Sequence, residues 1–249
     1  MRFMRRSSGA SRRCRSIRVN GTDVPYRVVR REVKYPRLEF KTGELLAVLL
    51  KSWKDEAPLL EKKIEWISRK YEEIQRALDG FKALRGNGRD LLVFGKFFRI
   101  RENGAVKIDF GGTTVECNLK ERRQVKRLRT ILKERLLSEV EPAALEYSQK
   151  FGVNFNRIFI RKQRTKWASC SAKGNLSFNF LLACLPNDLI RYIVCHEVLH
   201  LKRKSHDGNF WEQIGREFEN YREMEKRLFE YWFLVQEYFR LSPLKNIVK

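Results

Sequence analysis

Apolar residues recur at Leu60, Ile64, Ile67, Tyr71, Ile74 and Leu78, in alternating steps of four and three. That period places them on one face of a helix. Pro58 suits a first turn and Asp79-Gly80 a stop, so the spacing predicts a helix over 58–78. A second helical pattern runs over 119–141, with Val125, Leu128, Ile131, Leu132 and Leu136 on its inner face. Its outer face carries Lys120, Arg122, Arg123, Lys126, Arg127 and Arg129. Pro142 is expected to break or kink it, and a short helix then runs to Lys150, where Gly152 can cap the end. A third segment, Leu189–Leu201, is largely apolar and follows Asn187, a good N-cap, and Asp188, which favours the positive end of a helix. A last helix is expected from near Asn209 toward Tyr238, with Phe210, Trp211, Phe218, Tyr221, Phe229 and Trp232 along it. Trp167 and Trp211 read as core residues.

Between these helices the pattern changes to alternation or short apolar runs. Asn20-Gly21 is a hairpin signal between Ile17–Val19 and Pro25–Val29, and Leu38–Phe40 begins another extended piece. Leu91–Ile100, Ala105–Phe110 and Thr113–Cys117 read as an antiparallel unit. Arg157–Ile160, Thr165–Ser169 and Leu176–Leu182 form a later group, with a turn at Ala172–Asn175. The class is therefore α+β. The expected organisation is a basic flexible arm over 1–16, a β-rich domain with one helix over 17–118, and a mixed domain over 119–249. No internal repeat is visible.

Composition changes this picture in three respects. No run of about 18 apolar residues exists, so no membrane span is expected. The basic N-terminus has no apolar stretch behind it, and the five cysteines are scattered without a CxxC pair. Neither a secretory signal nor a disulfide framework is expected, and a cytoplasmic location fits. The net charge of +23 makes polyanions candidate partners, nucleic acid among them. The 1–16 arm carries Arg2, Arg5, Arg6, Arg12, Arg13 and Arg15 without an acid, and Arg122, Arg123, Lys126 and Arg127 form a second candidate polyanion contact. A solvated surface explains such charge equally well.

The chemistry is concentrated in one place. The chain has three histidines, and all lie between residues 196 and 206. Residues four apart on a helix return to nearly the same face, off by about 40°. His196 and His200 can therefore grip one ion, for which neutral imidazole makes zinc the natural choice. Glu197, in the HExxH arrangement, sits on the flank and can reach a metal-bound water without being a ligand. His206 would lie about 9 Å further along a continued helix and on another face. It can join the same ion only if the helix stops near Lys202 and the chain doubles back. The spacing equals that of the metzincins, with Arg203 where their pattern has glycine, which leaves the turn geometry open. Three protein ligands leave a fourth position for water, as a catalytic zinc site requires.

Four groups of residues, taken in order, resemble the YgjP-like metallopeptidase family. They are Thr165-Lys166-Trp167-Ala168-Ser169-Cys170-Ser171, Asn175-Leu176-Ser177-Phe178-Asn179-Phe180, His196-Glu197-Val198-Leu199-His200-Leu201, and His206 with Phe210-Trp211. Lys166, Ala168 and Phe180 stand where the family commonly has Arg, Gly and Trp. The resemblance covers nearly all of 17–235. It implies a zincin-like domain with one Zn2+ held by His196, His200 and His206, and with Glu197 as the base that assists attack of zinc-bound water on a peptide bond. The substrate is then a polypeptide. More distantly the chain is similar to the SprT and WLM families, which cleave proteins crosslinked to DNA. Some YgjP-like proteins are described as UTP pyrophosphatases, so a nucleotide hydrolase is the second expectation, and a nucleic-acid-binding protein with a structural zinc the third. Around the centre, Leu176–Leu182 is expected over the active helix as a platform for an extended peptide. Asn179 is a candidate for holding substrate, Tyr192 for stabilising an oxyanion, and Asp207 for orienting a ligand histidine.

Overall fold

The computed structural model describes residues 15–41, 44–84 and 90–241. The expected arm lies outside them except for Arg15 and Ser16, which open the first strand. The chain forms two compact units, residues 1–76 and 77–249. The class is α+β, with an N-terminal β unit as expected. No described helix is long and apolar enough to cross a membrane. Cys117, Cys170, Cys184 and Cys195 are free thiols, while Cys14 lies outside the described residues.

In the first unit, strands β1 (Arg15–Val19), β2 (Thr22–Arg31), β3 (Arg37–Lys41) and β4 (Glu44–Leu50) form one sheet in the order β1-β2-β4-β3. The predicted Asn20-Gly21 hairpin is present, with φ of 47° and 77°. Both values are positive, as a two-residue hairpin turn of this hand requires. The central pair β2–β4 is parallel and the flanking pairs are antiparallel. The predicted helix 58–78 is two helices, α1 (Ala57–Lys62) and α2 (Ile64–Leu84), divided where Lys63 leaves helical geometry. α2 also runs past the expected stop at Gly80, a residue that weakens a helix by only about 1 kcal/mol. Val19, Val24, Tyr26, Leu45, Leu60 and Ile67 form this unit's core. Glu56, the one deeply buried acid among its described residues, pairs with Arg15 and accepts a bond from Tyr26.

The second unit begins with β5 (Asp90–Val93), β6 (Lys96–Arg101), β7 (Lys107–Asp109) and β8 (Thr114–Glu116), in the order β5-β6-β8-β7. This repeats the strand order of the first sheet, a likeness that sequence comparison within the chain does not reveal. The expected boundary at 118/119 falls inside this unit. Leu91, Leu92, Val93, Phe98 and Val115 share one core with Leu128, Leu136 and Val140 of the following helix, so these strands are not separate from it. That helix, α3 (Arg122–Phe151), continues through Pro142 without the break that is one of the two expectations there. Pro142 removes one backbone bond, but Val140, Ala143 and Ala144 around it are fully buried, and their packing keeps the helix going. Gly152 caps it at φ 63°, as predicted.

The third sheet holds β9 (Ile158–Arg161), β10 (Ala168–Cys170) and β11 (Leu176–Asn179) in the order β10-β11-β9. β11 is therefore the centre strand, antiparallel to β10 and parallel to β9. A 3-10 turn, Phe180–Cys184, leads into α4 (Asn187–Leu199), whose N-cap is Pro186. The expected last helix is two, α5 (Gly208–Glu217) and α6 (Tyr221–Leu241), because Phe218 turns to extended backbone. α4 is buried on most sides, against α3, α6 and β10.

Candidate metal centre

α4 carries His196 and Glu197 in its last turn and ends at Leu199, so His200 occupies the C-cap. The end comes three residues earlier than expected. The chain then tightens through Leu201 and Lys202, which donate to Val198 and Leu199 at 3.0 Å each, and turns back toward α5. The positive-φ non-glycine residues among those described are Asn20 and Phe94, so Arg203 makes this turn in an ordinary conformation. The glycine of the metzincin pattern is not needed here.

This reversal brings the three histidines together. Their ligand nitrogens lie within 4.8 Å of one another. Nε2 of His206 stands 2.9 Å from Nε2 of His196. Two nitrogens sharing one ion at zinc bond lengths stand about 3.3 Å apart, so the His196–His206 pair is within a few tenths of an ångström of that spacing. Burial, followed by the neighbouring His200 and His206, holds the His196 pKa down to about 3. Its imidazole is therefore neutral at physiological pH, the form that offers a lone pair.

Each ring is aimed differently. His200 places Nδ1 2.9 Å from the carbonyl of Arg203, an arrangement that fixes a ring's orientation when the N–H donates. His196 packs edge-on to the fully buried Phe210 at 5.0 Å. His206 lies nearly parallel to Trp211, with ring centres 5.6 Å apart and 23° between planes, and Trp211 stacks in turn on Tyr221 at 5.3 Å. Sequence reasoning placed Trp211 in the core; the structure makes it the support of the most exposed histidine.

Glu197 is 8% exposed. Burial pushes its carboxyl up to about 7, opposed by Lys166 and by a hydrogen bond from the backbone N–H of Cys170. Glu197 thus answers to β10 as well as to its own helix, a relation the sequence carried no sign of.

The outer candidates fare differently. Asp207 does not reach an imidazole among the described hydrogen bonds. It is the N-cap of α5, accepting from the Phe210 N–H at 2.9 Å and from Ser205 Oγ at 3.2 Å, and these bonds hold its pKa low. Asn179 is fully buried and its amide is spent inside the protein: Nδ2 donates to Gln163 and Lys166 carbonyls at 3.0 and 2.8 Å, and Oδ1 accepts from Leu181. It ties down the segment before β10 instead of facing a substrate. Tyr192 lines the same cavity as His196 and Glu197, but its hydroxyl donates to Glu225 at 2.6 Å, and burial raises its pKa. β11 cannot be the peptide platform, since β10 and β9 occupy both its edges; the strand packed on α4 with an outer edge is β10. Arg122, Arg123, Lys126 and Arg127 are exposed along α3.

The model of the YgjP-like family, described as its metallopeptidase domain, matches residues 47–231. This chain belongs to the YgjP-like family. The matched span of this YgjP-like protein contains the three histidines, Glu197, β10 and all but Trp232 of the cavity lining beside them. A solved structure, that of the metallopeptidase zymogen of Methanocaldococcus jannaschii jannalysin, is 26% identical and covers 36% of this chain and 87% of that one, with a TM-score of 0.33. No curated protein matches the chain. A metallopeptidase domain implies a metal ion, and the YgjP-like chain offers three imidazole nitrogens in one place for it.

Proposed function

We propose that this protein is a zinc-dependent peptidase in which His196, His200 and His206 hold one zinc ion and Glu197 is the general base. The observation that carries this reading is the convergence of one nitrogen from each of three imidazoles within 4.8 Å, beside Glu197, a buried carboxyl in the last turn of α4 with a pKa of about 7. Zinc, when bound there, supplies a Lewis acid that polarises a carbonyl and eases the ionisation of water. Glu197 accepts the proton of the attacking water and passes it to the leaving amine; a pKa near the working pH suits both transfers. Its burial keeps competing water away, and the Cys170 N–H holds it in place.

The substrate platform is the outer edge of β10. Trp167 and Ser171 spend their backbone groups on Asn179 and Asn175 of the partner side, so Ala168 and Cys170 direct theirs outward. An extended peptide adding at that edge gains main-chain hydrogen bonds beside α4. The net charge of +23 supports targets held near a polyanion such as nucleic acid.

The test uses zinc-loaded protein and its Glu197→Gln variant with an unfolded protein as substrate. Cleavage by the first, reduced about 10²–10⁴-fold in the second with zinc content unchanged, is expected. Equal cleavage by both overturns Glu197 as base, and cleavage that survives complete chelation overturns the zinc.

A further inference from the structure

A cavity of about 380 Å³ opens next to His196 and Glu197. That volume lies within the usual range of about 300–1,000 Å³ for sites that enclose a ligand. Its walls are Trp167, Ile193, Leu228, Phe229 and Trp232. Two of the rings that line it have their polar atoms occupied: the Trp167 indole N–H donates to the carbonyl of Leu228 at 3.2 Å, and the Tyr192 hydroxyl to Glu225. The lining is mostly apolar, with His196 and Glu197 at its inner end. Trp167 and Trp232 meet edge to face at 4.9 Å and 90°, and both stay half-buried, leaving an aromatic corner with room beside it. At the rim stand Lys166 and Glu225, both exposed and of opposite sign. Their charges offset one another at the mouth, while the apolar walls would strip an ionic side chain of its hydration.

Building on the peptidase reading above, we infer that this cavity receives an aromatic side chain of the substrate, from a residue flanking the bond that is cut. Thr165–Ala168 line the cavity and lead into β10, so a peptide extended along that strand presents alternate side chains, one of them toward the aromatic corner. A ring entering there meets the walls in the tilted and edge-on arrangements that aromatic groups favour.

The test is a set of quenched fluorescent peptides that differ only at one residue flanking the cleaved bond: Phe, Tyr, Trp, Leu, Ala, Lys or Glu. With the zinc-loaded full chain, the aromatic peptides are expected to exceed the Ala peptide in kcat/KM by about tenfold or more, with Lys and Glu lowest. Trp232→Phe retains the ratio and Trp232→Ala collapses it toward one. If Trp232→Ala does not fold, Thr165→Trp, placed at the exposed rim, must reduce the ratio by filling the mouth. The same peptides are titrated against zinc-loaded Glu197→Gln, with tryptophan emission as the binding signal. Cleavage without aromatic preference overturns the cavity assignment alone. Aromatic-selective binding without any cleavage by the parent protein sustains the cavity and overturns the peptidase reading. Neither binding nor cleavage overturns both.

Discussion

The sheet β1-β2-β4-β3 of the first unit and the sheet β5-β6-β8-β7 of the second are built alike. In each, two parallel strands lie at the centre and antiparallel strands outside, and the first hairpin closes on two residues at positive φ. The hairpins meet different surroundings. Asn20-Gly21 is exposed, and a side chain added at Gly21 would find nothing within 4 Å. Phe94-Gly95 is docked: its two N–H groups donate to Ala183 and Cys184 at 2.8 and 3.2 Å, and a Cβ on Gly95 would come within 2.8 Å of Pro186, the N-cap of α4. Asn tolerates the left-handed region and so announces a turn. Phe does not, and it holds that conformation because tertiary bonds fix it there. A local motif thus became a brace for the helix that carries the histidines, and in doing so lost its local signature.

The three histidines and Glu197 lie in the second unit, so the proposed chemistry belongs there. Its severest test is Glu197→Gln, expected to lower peptide hydrolysis about 10²–10⁴-fold; activity that persists would place a second catalyst elsewhere. Next in size is Gly95→Ala. Positive φ and the contact with Pro186 together are expected to cost about 3 kcal/mol of stability, read from urea unfolding. Trp211→Ala, which removes the support of His206, is expected to weaken zinc binding about tenfold in a chelator competition. Trp66→Ala, in the first unit's own aromatic cluster, is expected to leave zinc affinity unchanged, and equal losses would erase the distinction between the units. The smallest effect belongs to Gly21→Ala, where conformational strain alone is expected to cost about 1 kcal/mol.

Those same residues show where sequence reasoning reaches. The periodic faces of α3 and α4, the Asn20-Gly21 hairpin and the Gly152 cap are local signals, and each is where its pattern puts it. The chain reversal that brings His206 to His196 follows from geometry, since a continued helix would separate them. What depends on neighbours distant in sequence was not legible. Pro142 looks like a breaker until the burial of Val140 and Ala144 is known. β11 looks like a platform until β9 and β10 are seen to flank it. Asp207 lies beside a ligand and so suggests a partner for it, yet three residues on is an N–H that needs a cap. Trp211 looks like core because nothing local says which ring it faces.

The hydrogen bond from the Cys170 N–H to Glu197 has a consequence for how a peptide would be placed. Along the outer edge of β10 the backbone groups of Ala168 are open to a partner strand, and the next donor, the N–H of Cys170, acts on Glu197. For a peptide laid there as proposed, the ladder of main-chain bonds would then reach the residue beside the proposed base. The strand would work as a ruler with its zero mark there, setting where along the peptide the cut falls by counting rungs. A slip of one rung turns every side chain to the opposite face, so the same count decides which side chain is offered to the aromatic corner.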